Sequence, residues 1–417
     1  MQRFLQNRLR TLITALFAVL FILAFIPDGD VLAIPTCTTD CFVSTIGNDA
    51  NSGTNALGAL RNIQTAVDQV DDGGTVHVAV GIYTENVEIP SGKDVIIDGA
   101  GAGANAALHT IVDGNDAGNV FKIEGGIVAI KEMTIRNGAQ SGFEPGSGVY
   151  SSFAALGLDD VIITSNTGSG IYSNLGNDLV IEGSTISDNS ASNGGGLRQE
   201  VGGDLVIWNT TFSGNTATGG MGSSGFGGGI FLTRASSALI YKTTITDNNA
   251  VDGGGIYNSN TDPVTIANTT ITGNTASDRG GGLNNTNDGD SDCSNCISNT
   301  LLINSTIFDN TAVSAAGVNN ESIFGGLGDG FPTNPAVLTI TNSIIGGSSS
   351  ENCLETETGG GIATWVSNGH NISDDTSCAA LLVDGGNYSG VKQCWGEGRP
   401  HPNPCPTSGQ SGFGCCR

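Results

Sequence analysis

IITSN (162–166), TISDN (185–189), TFSGN (211–215), TITDN (244–248), TITGN (270–274) and TIFDN (306–310) are six copies of one template standing in a row, and their repetition sets the architecture. Their closing asparagines are 23, 26, 33, 26 and 36 residues apart, a base period in the mid-twenties with two insertions. Working outward, an apolar triplet precedes five copies: Leu179-Val180-Ile181, Leu205-Val206-Ile207, Leu239-Ile240-Tyr241, Val264-Thr265-Ile266 and Leu301-Leu302-Ile303. Leu338-Thr339-Ile340 opens a degenerate last turn. A small-residue run closed by an apolar residue follows each copy from the second onward, ending at Leu197, Ile230, Ile256, Leu283 and Val318. Each repeat thus supplies three short strands, and a period of this size fits one turn of a three-sided solenoid whose coils stack at about 4.8 Å. Helical repeats of similar length are excluded by the β-branched triplets and glycine runs. The fold class read here is all-β, a right-handed parallel β-helix with a short N-terminal capping helix.

The recurring asparagines 166, 189, 215, 248, 274 and 310 have two structural readings. Asn166, Asn189, Asn215, Asn248, Asn274 and Asn310 suit a left-handed corner conformation, and stacked side-chain amides can hydrogen-bond as a ladder. Upstream, Leu60, Ile63, Val67 and Val70 share one helical face just before the strand Thr75-Val76-His77-Val78-Ala79-Val80, so residues 60–70 read as a helix capping the open end. The predicted organisation is an export signal over 1–33, an N-terminal segment with the capping helix over 34–74, the β-helix over 75–378, and an irregular Cys-, Pro- and Gly-rich tail over 379–417.

Composition agrees with this picture. The 417 residues include 64 glycines, with 13% charged and 38% hydrophobic residues, a chain dense in turns that still fills a long core. A formal charge of -25 with only 15 basic residues argues against nucleic acid as a partner. It would also repel polyanionic glycans unless a divalent cation intervened. Arg3, Arg8 and Arg10 precede an apolar run from Thr11 to Ile26, and Val31-Leu32-Ala33 offers a small-residue cleavage site. That run is short for a membrane span, so a mature chain without one is expected from about Ile34, secreted or at the cell surface. All ten cysteines lie beyond it, and in an exported chain they read first as disulfides.

The segment STIGNDANSGT (44–54), with IQTAVDQV (63–70) and TVHVAVGIYTENVEIPSG (75–92), resembles the opening coils of pectin-lyase-like parallel β-helix proteins. The pairing of F/I-x-x-N with GG-[LIV] is similar to the repeats of polymorphic outer-membrane proteins, and Phe212-Ser213-Gly214-Asn215 matches literally. Asn352-Cys353 followed by GHNISDDTSC (369–378) resembles the end of bacterial secreted β-helix proteins. Together these cover about 44–378. They imply a fold that hosts polysaccharide lyases, hydrolases, and surface scaffolds.

Candidate chemistry is sparse. Calcium-dependent pectate lyases imply an arginine base, for which Arg136, Arg198, Arg234 and Arg279 are the candidates within the repeats; none sits in a lyase-like motif, and solvated surface or loop arginines are the competing reading. Galacturonase-type N-T-D, D-D, G-H-G and R-I-K elements occur only as Asn260-Thr261-Asp262, Gly369-His370-Asn371 and then Asp374-Asp375, in the wrong order and without R-I-K. The two adjacent aspartates would point to opposite faces of a strand. No catalytic residue is assigned. Asp288, Asp290 and Asp292 alternate in the insertion 284–300 as oxygen ligands of Ca²⁺ would, a bound calcium ion being one reading and a solvated acidic loop the other. Cys293 with Cys296, and Cys37 with Cys41, are candidate local bridges; Cys353 with Cys378 would staple the degenerate last coil. Thr-x-Thr pairs at Thr244/Thr246, Thr270/Thr272 and Thr339/Thr341 could suggest an ice-binding threonine face, but only three of the coils show them and threonine is a common strand residue, so ice binding is not expected from the sequence. The four histidines form no metal-ligand spacing. The functional expectation is a non-catalytic adhesive or glycan-binding scaffold whose partner is a polysaccharide or cell-surface ligand; the alternative is a pectin-lyase-like polysaccharide lyase or glycoside hydrolase.

Overall fold

In a computed structural model of the chain, the described residues are 36–139, 147–176, 178–220, 224–288, 297–323, 335–358, 361–378 and the strand pairs 395–396 and 399–400. The described residues between Cys37 and Cys378 form a right-handed parallel β-helix, the hand that parallel strand crossovers adopt. Each coil crosses three faces. The first carries Leu179–Glu182, Val264–Ala267, Ser298–Ile303 and their neighbours; the second Thr185–Ser187, Thr211–Ser213, Thr244–Thr246 and theirs, eleven strands in all; the third Ser169–Asn174, Ile256–Ser259, Leu283–Asn287 and theirs. Two twelve-residue strands, Leu197–Trp208 and Ile230–Tyr241, run unbroken around the corner from the third face to the first.

Alternation fills the interior. Ile186, Phe212, Ile245, Ile271 and Ile307 stack from the second face with no exposure, and Ile181, Ile207, Ile240 and Ile266 do so from the first. The solenoid begins earlier than the strand at residue 75 suggests, because Asp40–Val43 pairs in register with Thr75–Val78. The capping helix α1 spans Ile63–Gln69 and buries Ile63, Ala66 and Val67. Its N-terminus is held by Glu85, whose two carboxylate oxygens accept from the Ile63 and Gln64 amides at 3.0 and 3.1 Å.

The asparagines do form a ladder. Each Nδ2 donates to the Oδ1 of the next rung, from Asn166 through Asn189, Asn215, Asn248 and Asn274 to Asn310, at 2.8–3.0 Å. The left-handed corner, however, is occupied by the residue before each of them: Ser165, Asp188, Gly214, Asp247, Gly273 and Asp309 all have φ between 55° and 67°. The asparagine is chosen for its amide, and its predecessor makes the turn. The glycine runs belong to the same device. A Cβ on Gly170, Gly196, Gly229, Gly255 or Gly282 would lie 2.7–3.2 Å from a ladder Nδ2, so the third-face strand passes close beneath the rungs.

A second ladder brackets the other edge of the second face. Ser184, Thr210, Thr243, Thr269, Ser305 and Ser343 are buried there. The Thr243, Thr269 and Ser305 amides donate to the hydroxyl of the following coil at 3.2–3.4 Å, and Ser343 donates to Asn371 at 2.9 Å. A third, shorter ladder runs inside the third face, Asn258 to Asn285 to Asn320, at 2.9 and 2.7 Å.

Candidate functional site

With the interior accounted for, the outward residues distinguish the three faces. On the first face one outward row runs through Ile96, Val180, Leu239 and Val366, each between 36% and 41% exposed. The neighbouring outward row carries polar and aromatic groups in register: His77 beside Asp98, then Lys131, Asp159, Glu182, Trp208 and Tyr241. Trp208 is 42% exposed although it is a large apolar side chain. It and Tyr241 close the two continuous strands on adjacent coils, in register, so their backbones lie side by side at the interstrand spacing, about 4.8 Å. Lys242 holds its Nζ 5.2 Å from the Tyr241 ring centre. An apolar strip carrying aromatic rings and rimmed by charge is the usual character of a binding surface.

At the N-terminal end of this row lies a cavity of about 350 Å³ lined in part by Phe42, Ser44, His77, Asp98 and Ala100. His77 lies between two carboxylates, its Nε2 3.1 Å from Asp40 and its Nδ1 3.5 Å from Asp98, with its ring stacked on Phe42 at 4.9 Å. Sequence spacing assigns His77 nothing; the grouping exists only because three successive coils bring residues 40, 77 and 98 together. Five coils separate His77 from Trp208, about 24 Å.

The third face is closed upon itself. Phe226 stacks on Tyr257 at 4.2 Å, and Phe231 lies 5.7 Å from Tyr257. Beside them Arg279 Nη1 donates to Glu321 at 2.5 Å and its Nε lies 3.6 Å from Asp252. Burial pushes the Asp252 carboxyl up despite the attraction of Arg279, and burial together with the surrounding carboxylates pushes the Tyr257 hydroxyl well above its ordinary value. One coil-stack away Arg198 reaches Glu200 at 2.6 Å and lies 4.7 Å over the Tyr172 ring, whose hydroxyl donates to Glu200 at 2.7 Å. Arg136 pairs with Asp113 at 2.8 Å. These three arginines are therefore half-buried ion-pair partners, not solvated side chains, and each already serves a carboxylate. Arg234 stands in a left-handed turn at φ 54°.

Cys353 is joined to Cys378 and Cys37 to Cys41, each with Cα atoms 5.1 Å apart. Cys293, Cys296, Asp290 and Asp292 lie outside the described residues. Asp288 accepts from Ser259 at 3.0 Å and from Asn260 at 2.6 Å. Among the described residues no group of three or more His, Cys, Asp or Glu side chains is arranged to hold a metal ion. Asp374 and Asp375 lie in a bend just after Ile372–Ser373, the last strand of the second face, and both reach Asn352: Asp374 accepts from its side chain at 2.6 Å, Asp375 from its amide at 2.9 Å. They cap the final coil together instead of facing opposite ways. Thr339 and Thr341 belong to the first face, apart from the other threonine pairs.

No known family profile matches the sequence, and no curated protein matches it. Similar solved structures include the pectate lyase Pel9A, at 15% identity over 77% of this chain and 79% of that one with a TM-score of 0.38. The A-module of the mannuronan C-5 epimerase AlgE4 from Azotobacter vinelandii has 15% identity, covering 74% and 75%, with a TM-score of 0.35. The tailspike protein gp49 of Acinetobacter baumannii bacteriophage Fri1, a capsular polysaccharide depolymerase, has 12% identity, covering 76% and 56%, with a TM-score of 0.37.

Proposed function

We propose that the chain is a secreted or cell-surface scaffold that binds glycans along its first face without transforming them. The observation that carries this reading is the Trp208–Tyr241 pair, in register on adjacent coils with Trp208 exposed and Tyr241 half-buried beside it. Rigid aromatic rings offer a flat apolar face to the C–H face of a sugar ring while flanking polar groups meet its hydroxyls. The charged row of Asp98, Lys131, Asp159 and Glu182 continues the track on neighbouring coils. The excess of carboxylates favours a neutral glycan over a polyanionic one. The N-terminal apolar run supports export, and the repeats similar to those of polymorphic outer-membrane proteins support a surface location.

A glycan array probed with the full chain and with Trp208→Ala and Tyr241→Ala variants tests the site. Retention of neutral oligosaccharides by the parent, lost in both variants without a change in thermal melting, is the expected result. Equal retention by all three proteins would remove the site. Incubation with polygalacturonate and other plant or algal glycans, with and without calcium, addresses catalysis: new unsaturated or reducing ends would overturn the non-catalytic part of the reading.

A further inference from the structure

The second face differs from the other two in its outward chemistry. Thr185, Thr211, Thr244, Thr270 and Thr306 occupy one outward row on five consecutive coils in register. Two residues further along these strands, Ser187, Ser213, Thr246 and Thr272 form the adjacent row, continued by Thr164 on the coil before and by the exposed Phe308 on the coil after. On the four coils from Thr185 to Thr272 every outward strand position is a hydroxyl. Preference of β-branched residues for strands does not account for this. At the corresponding positions the first face carries Val180, Val206, Leu239, Glu182, Trp208 and Tyr241, under the same backbone constraints.

The grid is also unusually regular. Sheets left to themselves twist, and flat ones persist where stacked side chains hold them. Here the asparagine ladder fixes one edge, with rungs of 2.8–3.0 Å, and from the coil of Thr243 onward the hydroxyl ladder through Thr269, Ser305 and Ser343 fixes the other. Strand starts and turn lengths along this half of the coil are the same from Thr185 to Thr306, and both long insertions leave elsewhere. The resulting lattice repeats at about 4.8 Å along the solenoid and about 6.6 Å across it, twice the rise per strand residue. It is uncharged in a chain of net charge -25. The nearest carboxylates, Asp188, Asp247 and Asp309, stand in the corner beyond it on alternate coils, with Gly214 and Gly273 between. Within the grid, Ser187 donates to Thr164 at 3.1 Å and Thr246 to Asp247 at 2.9 Å.

We propose that this face binds ice. Hydroxyls are donors and acceptors at once, as the surface waters of ice are, and the grid holds them at a fixed repeat in two directions. A single hydroxyl competes poorly with liquid water, because one hydrogen bond to water replaces another. Many hydroxyls fixed at lattice spacing gain only against a partner with the same spacing, which is what a crystal offers and a soluble molecule does not. The assignment is independent of the glycan track, which lies on another face.

The test is thermal hysteresis and ice-recrystallisation inhibition by the full chain, with Thr244→Lys and Thr270→Lys placing a long charged side chain at the centre of the grid. The parent should open a gap between freezing and melting points and keep ice grains small; both lysine variants should lose these effects, while Leu239→Lys on the first face should keep them. Circular dichroism verifies that each retains its β spectrum. If a lysine variant unfolds, Thr185→Gln and Thr306→Gln at the ends of the row are compared instead, and a reduced gap is expected. A folded parent with no gap, or an equal gap in parent and end variants, overturns the proposal. Retention of the parent on microcrystalline cellulose, lost in the threonine variants while ice effects are absent, would transfer the grid to a crystalline polysaccharide and likewise overturn it.

Discussion

Truncating one rung of the asparagine ladder should cost far more than truncating the residue beside it. Asn248 is 1% exposed and makes four side-chain hydrogen bonds. It donates to Phe212 O at 3.1 Å and to Asn274 Oδ1 at 2.9 Å, and accepts from the Asn215 amide and side chain at 3.0 and 2.9 Å. After Asn248→Ala, Asn215 Nδ2 keeps Ile186 O and Asn274 Oδ1 keeps the Asn248 amide. The Asn215 N–H and the Phe212 carbonyl lose these partners inside the wall of the solenoid. At about 1–3 kcal/mol for each unsatisfied buried group, the expected loss is roughly 4 kcal/mol. Asn249 is exposed, and Asn249→Ala should stay within about 0.5 kcal/mol. Urea unfolding followed by circular dichroism gives both midpoints, and hydrogen exchange should show the added opening confined to the coils that contain Asn215 and Asn248, since each coil contacts only its neighbours. Equal midpoints for the two variants would refute the ladder as a source of stability.

Gly229→Ala should lower the unfolding midpoint, because its Cβ would lie 2.7 Å from Gly255 O, whereas Gly157→Ala meets nothing nearer than 4.0 Å and should be neutral or slightly stabilising in the same urea series. Peptide mapping without reduction should recover Cys353 linked to Cys378, and Cys353→Ser should cost about 3 kcal/mol in that series, the entropy of freeing a loop of this order. Glu85 supplies the pH prediction. Burial pushes its carboxyl above the ordinary 4.5, while the Gln64 and Ile63 amides pull it back down. The folded state therefore holds this proton more tightly than the unfolded chain, and the associated stability is full below 4.5 and lost as pH rises through the folded value. The stability of the parent relative to Glu85→Gln should increase as pH is lowered from neutral toward 4.5, as read from urea midpoints at each pH; parallel profiles would contradict it.

The fold was legible because its signals are local and repeated. An apolar triplet, T-I-x-x-N and a glycine run recur within one coil, so alternation and period can be read directly along the chain. The ladder was legible for the same reason, but its geometry was not: nothing in T-I-T-D-N says that Asp247, and not Asn248, takes the left-handed turn. Once φ is known the alternation Asp188, Gly214, Asp247, Gly273, Asp309 makes sense, because a Cβ at Gly214 would lie 2.6 Å from Asp188 Oδ1 and stacked carboxylates would repel. The hydroxyl ladder hid in plain residues, Thr243 and Thr269 being indistinguishable in sequence from their outward neighbours Thr244 and Thr270. The candidate site was the least legible part. Trp208 and Tyr241 stand 33 residues apart, across an insertion, and His77, Asp40 and Asp98 meet only through stacking.

Regularity is distributed unevenly around the coil, and that unevenness places function. From the end of each first-face strand, through the hydroxyl rung and the second face, to the asparagine rung, no residue can be added without breaking one ladder or the other, since both need one rung per coil. Length variation is therefore confined to the arc from the asparagine rung through the third face to the next first-face strand, where the spacings of 33 and 36 arise. Two of the coils cross part of that arc as continuous strands, Leu197–Trp208 and Ile230–Tyr241, and these end in the exposed Trp208 and the half-buried Tyr241. A ring at the end of an uninterrupted strand is held in register by its neighbours, whereas one on a loop would have to be ordered on binding. The constant arc supplies a fixed lattice, and the variable arc, where it is stiffened into a single strand, supplies a fixed platform.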